Sequence, residues 1–189
     1  MPVQYATADS FRRVTGQQLK PILEILAQVT WPVPEAKIPT LIDQLGWTLT
    51  SNRVHIKADT HLPVNYAVGD FAKPDGELTY LIFYLTDIAD DLADATALAA
   101  IQSAYRILTS EIQSIWGEPT GSQEPRDDDV AQTWWDLPTG SRLSVHNRPG
   151  KITAHFMYPR FAAAKRYYES HPREDYPELY EYDGDDSEN

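Results

Sequence analysis

Apolar positions near the start of the chain recur at helical spacing. Leu19, Ile22, Leu23, Leu26 and Val29 fall three and four residues apart, which predicts a helix over 18–29. Pro21 is tolerable there only near a first turn. The run TWPVP at 30–34 cannot continue it. PEAKIPTLIDQLG then opens on Pro34 and closes on Gly46, with Ile38, Leu41, Ile42 and Leu45 on one stripe. Pro39 argues for a short or irregular first turn. After Gly46 the period changes to two. WTLTS, RVHIKAD, VNYAVGDF and ELTYLIFYLTD read as successive strands. The last is apolar on both faces between Leu78 and Leu85, as a central strand should be.

Residues 87–116 predict the longest helix. Leu98, Ile101, Tyr105, Leu108, Ile112 and Ile115 form its stripe, and Asp87, Asp90, Asp91 and Asp94 crowd its start. Gly117 and Pro119 stop it. Residues 120–129 carry no apolar side chain and read as a loop. Two hairpins follow, turning at Gly140 and at Pro149-Gly150, and a last helix starts near residue 160. The summed order predicts an α+β domain over 1–171. Its mainly antiparallel sheet would have about six to seven strands. A long helix would pack on one face, with short N- and C-terminal helices. The tail from 172 to 189 is acidic and tyrosine-rich, with too little apolar surface to fold alone.

The two closing hairpins fix which side chains share a face. With Pro149-Gly150 as a two-residue turn, Leu143 faces Phe156 and Val145 faces Ala154 on an apolar side. Ser144 then faces His155 and His146 faces Thr153 on the other. His146 and His155 become diagonal neighbours, roughly 7 Å apart at the backbone. With Thr139-Gly140 as a second two-residue turn, Trp134 joins the core and Trp135 joins Arg142 and the histidines. One extra residue in that turn swaps the two tryptophans.

Composition narrows the chemistry. The 189 residues carry a net charge of −12 and no cysteine. Disulfides, thiolate zinc sites and cysteine nucleophiles are therefore out. Nucleic acid is a poor partner for such a surface, and a basic protein is a better one. Nothing approaches the roughly 18 apolar residues of a membrane span. The N-terminus lacks a signal pattern, so a cytoplasmic protein is expected. No acid in the hairpins orients either histidine for acyl transfer. Two histidines without a third ligand make a weak metal site. Asp127-Asp128-Asp129 lacks the spacing of a calcium loop, and GEPTGS lacks the lysine of a phosphate loop. The expectation is no catalytic residue, no metal and no cofactor. What remains is a surface for a partner, drawn from Trp135, Arg142, His146 and His155, from Asp127, Asp128 and Asp129, and from Tyr176, Tyr180 and Tyr182 of the tail.

Three stretches carry a resemblance. They are LGW at 45–47, LTSEIQSIWGEPT at 108–120 and WWDLPTGSRLSV at 134–145. Their order resembles a family of small actinobacterial α+β proteins of unknown function, over about residues 30–158. Members of that family are often encoded near secreted toxins or specialised secretion genes. The resemblance implies an immunity or accessory role and assigns no functional residues. Two expectations follow. One is an immunity protein that binds a basic toxin acting on NAD or nucleic acid. The other is a secretion-linked chaperone or adaptor holding a secretion substrate.

Overall fold

The computed structural model describes residues 6–7, 10–52, 55–73, 76–89, 95–124 and 130–170. Helix α1 spans Gly16–Ala27, and a 3-10 turn at Glu35–Lys37 leads into α2, Ile38–Gln44. Strands β1 Thr48–Asn52, β2 Ile56–Asp59, β3 Val68–Ala72 and β4 Tyr80–Tyr84 follow. Helix α3 spans Ala95–Trp116. Then come β5 Gly121–Gln123, β6 Ala131–Asp136, β7 Arg142–Arg148, β8 Lys151–Met157 and α4 Pro159–Ser170. The strands form one antiparallel sheet in the order β1-β2-β3-β4-β8-β7-β6-β5. Two four-stranded meanders thus meet through their last strands, β4 against β8.

Local chemistry explains the helix ends. Thr15 caps α1 through a reciprocal capping box with Gln18. Pro21 lies inside α1, deeper than the first turn. Pro39 sits in the first turn of α2, after the 3-10 turn that the proline-rich entry imposes.

Helices α1, α2 and α3 cover one face of the sheet. Their buried side chains join Ile56, Ala58, Phe71, Leu81, Phe83, Leu143, Val145, Ala154 and Phe156 in one core. Trp47 packs edge-on against Phe71 and Phe83 at 6.0 and 5.4 Å. Trp116 closes α3 half-buried against that core. The α3 stripe is offset by one position at its start: Ala97 is buried and Leu98 is exposed. The small Ala97 and Ala104 alternate with Ile101, Leu108 and Ile112.

Two sequence expectations change. Among the described residues the sheet has eight strands rather than about six to seven, because β5 forms inside the stretch expected to be a loop. Gly121, Ser122 and Gln123 pair with Trp134, Thr133 and Gln132, and Gln132 Nε2 donates to Gln123 Oε1 at 2.7 Å. A three-residue polar edge strand leaves no hydrophobic period to read. Asp87 is not a helix cap. It lies buried ahead of α3, where its carboxylate accepts from the Arg12 backbone N–H and Nε at 2.9 and 3.0 Å and from the Asn65 N–H. Asp90, Asp91 and Asp94 lie outside the described residues, as do 171–189. Among the described residues no helix is long and apolar enough to cross a membrane.

Candidate functional site

The second face of β6, β7 and β8 gathers the polar side chains that the hairpin pattern singled out. On β7 they are Arg142, Ser144, His146 and Arg148, and on β8 Met157, His155, Thr153 and Lys151. The β7–β8 register is the expected one: Ser144 opposes His155 and His146 opposes Thr153. Gly150 holds the turn at φ 77°, a conformation glycine adopts without a Cβ clash.

The β6–β7 register differs from the expected one. Trp135 opposes Leu143 and Trp134 opposes Ser144. The connection runs from Leu137 to Ser141, closed by Gly140 N–H to Leu137 O and Leu137 N–H to Ser141 O, both at 2.8 Å. That longer loop shifts the pairing by one residue and exchanges the tryptophan faces. Trp135 is therefore a core residue, and its Nε1–H donates to Gly117 O at 3.0 Å. Trp134 takes the polar face instead. Its ring lies so close over Gly121 that a Cβ there would come within 2.5 Å.

Helix α4 folds back across this face, so most of it is not solvent-exposed. Arg142 is 1% exposed. Its Nη1 donates to both oxygens of Glu169 at 2.6 and 2.8 Å, and its Nε donates to Asp136 at 2.9 Å. Arg166 also donates to Asp136, at 2.7 Å. Burial by itself would raise the Asp136 carboxyl, but the hydrogen bonds from Arg142 and Arg166 outweigh it and hold the pKa below its ordinary value. The same two acids raise Arg142, against the burial that opposes its charge. The Arg142 guanidinium also lies 5.2 Å from the centre of the Trp134 ring. Ala162 of α4 is fully buried. Phe161 reaches Tyr80, with ring centres 6.1 Å apart.

His146 and His155 stack face to face, their rings 3.9 Å apart and 3° from parallel. Their exposures are only 7% and 9%. Burial first, then the positive charges of Lys165 and Arg148, push His146 down to about 3. Burial, the neighbouring His146 and the same two cations push His155 down to about 2. Both rings are neutral at physiological pH. Thr153 Oγ1 lies 3.1 Å from His155 Nε2, while His146 Nε2 and Ser144 Oγ are buried without a partner among the described residues. Neither ring has a carboxylate within ion-pair distance among the described residues. The arrangement therefore lacks the oriented acid that would make either imidazole a strong general base.

Four of the expected partner-binding side chains, Trp135, Arg142, His146 and His155, are thus internal. Trp135 went inside with the register, and the other three went under α4. Asp127, Asp128, Asp129, Tyr176, Tyr180 and Tyr182 lie outside the described residues. Sequence reasoning missed Asp136, Arg166 and Glu169. Asp136 sits directly across the hairpin from Arg142, which the correct loop length would have shown. Glu169 and Arg166 lie three apart on α4 and carry no signal of their partner.

No curated protein and no solved structure matches the chain. A protein-family model does match, over residues 17–157, and its span contains all three resembling stretches. The chain belongs to that family, DUF6301, a family of unknown function.

Proposed function

We propose that the protein is a cytoplasmic immunity protein, a non-catalytic inhibitor that binds a secreted toxin and blocks its active site. The net charge of −12 carries this reading. A toxin that acts on NAD or nucleic acid must bind phosphates, so its cleft is basic, and an acidic inhibitor is drawn to it. The burial of Arg142, His146 and His155 agrees with a module that does no chemistry on that face. With these side chains internal, this reading relies on the other expected contacts, the acids Asp127, Asp128 and Asp129 and the tail residues Tyr176, Tyr180 and Tyr182. Co-expression with a toxin found encoded beside this gene tests the reading. Growth rescue and co-purification are expected. Truncation after His171 should slow association and flatten its salt dependence, because steering charges are removed. No rescue and no co-purification would refute the inhibitor.

One observation favours the second reading, a secretion-linked chaperone or adaptor. Edge strand β1 is largely exposed and carries no charge, with Leu49 open to solvent. Natural edges are usually guarded by charge or proline. An uncharged open edge suits the addition of an extended client strand. An adaptor releases its client for export, whereas an inhibitor stays bound and abolishes the partner's activity.

A further inference from the structure

The turn end of the second sheet face is unusual for so acidic a protein. Arg148 and Lys151 stand directly opposite each other on β7 and β8, on the same face as His146 and Thr153. Like charges placed this way destabilise a strand pair. The chain has 28 acidic residues against 16 basic ones, yet neither cation forms an ion pair among the described residues. Seven of the other described cations do, Arg12, Arg13, Lys20, Lys57, Lys73, Arg142 and Arg166, while Lys37, Arg106 and Arg160 share the lack of an ion pair among the described residues.

Lys151 is half-buried, with its Nζ 5.4 Å from the centre of the Tyr84 ring. Tyr66 packs edge-on against that ring at 4.7 Å. Lys165 of α4 adds its charge from above, close enough to act on both histidines. The acid that acts on Tyr84 is Asp70, which Lys57 and His55 already face at 4.0 and 3.9 Å. Beside the cations lies His146, more than nine-tenths buried, with Nε2 unpartnered among the described residues. A buried polar atom without a partner marks an unmet hydrogen-bonding demand.

We propose that this end of the face binds a dianionic phosphoryl group of a small molecule. Arg148 and Lys151 hold its oxygens, and His146 Nε2 is the buried hydrogen-bond partner. Arginine supplies a planar fork and lysine a point charge, a pairing suited to a group with several charged oxygens. A ligand there cancels the repulsion between Arg148 and Lys151. A neutral imidazole donates from Nε2 in one tautomer, so no proton need be taken up. Tyr84 forms an apolar wall that lowers the local dielectric and strengthens each contact. The site is independent of the inhibitor reading, since it uses cations that a basic partner would avoid.

Titration of the full chain with inorganic phosphate and with AMP tests this, at constant ionic strength and neutral pH. The imidazole signals of His146 and His155 are followed by NMR. Saturable shifts of both rings with either probe are expected, and acetate should produce none. Arg148→Gln with Lys151→Gln should weaken phosphate binding by about tenfold or more. The same variant should keep or raise the melting temperature, because a like-charge pair is gone, so a folding defect cannot mimic the result. A linear, non-saturating shift would overturn the site. So would equal affinity in the double variant, or equal binding of acetate.

Discussion

Lowering the pH from 7 to 5 should destabilise this protein through the stacked histidines. In the folded chain His146 titrates at about 3 and His155 at about 2. In the unfolded chain both titrate near 6.5. Below 6.5 the unfolded state therefore binds protons that the folded state refuses. Stability must fall as pH falls, beginning near 6.5 and continuing to the folded values. At pH 5 the linkage amounts to about 2 kcal/mol for each ring, or about 4 kcal/mol for the pair. A loss of that size is a large share of a typical domain's stability. The window lies above the range where the Asp136 carboxyl titrates, so that network should remain intact within it. Urea unfolding at pH 7, 6 and 5, followed by tryptophan fluorescence, measures the loss. The comparison is with His146→Gln/His155→Gln, which leaves every other titrating group in place. The parent should lose about 4 kcal/mol more than the variant between pH 7 and 5. Equal slopes would mean that the rings take up protons in place, so that α4 does not seal the face.

Arg142→Ala should cost about 3–5 kcal/mol, because Glu169 and Asp136 lose their shared buried partner; urea unfolding reads it, and a loss below about 1 kcal/mol would place α4 off the sheet. Trp135→Ala should cost about 3–5 kcal/mol through its cavity, while Trp134→Ala should cost clearly less in the same measurement; the reverse order would restore the two-residue turn at Thr139-Gly140. Gly150→Val should cost about 1–2 kcal/mol, since φ 77° crowds a β-branched side chain; an unchanged melting temperature would refute the turn and its register.

The sequence by itself determined the elements and much of their pairing. Helical periods at Leu19–Leu26 and Ile101–Ile112, and alternation from Trp47 to Leu85, are local signals that burial on one face imposes. Pro149-Gly150 also fixed the β7–β8 register, and with it the juxtaposition of His146 and His155, because a two-residue turn leaves no freedom. Three things needed the tertiary structure. The loop from Leu137 to Ser141 was one residue longer than its Thr-Gly signal suggested, and the period of two turned that residue into an exchange of Trp134 and Trp135. Strand β5 has no apolar pattern and exists only because β6 offers it an edge. Above all, the lid of α4 over Arg142 and the histidines rests on ion pairs with Asp136 and Glu169, and one buried alanine. Charged residues on a helix read as solvated until the opposite charge is seen beneath them. That is why side chains that look like a decorated surface in the sequence are the underside of a covered one.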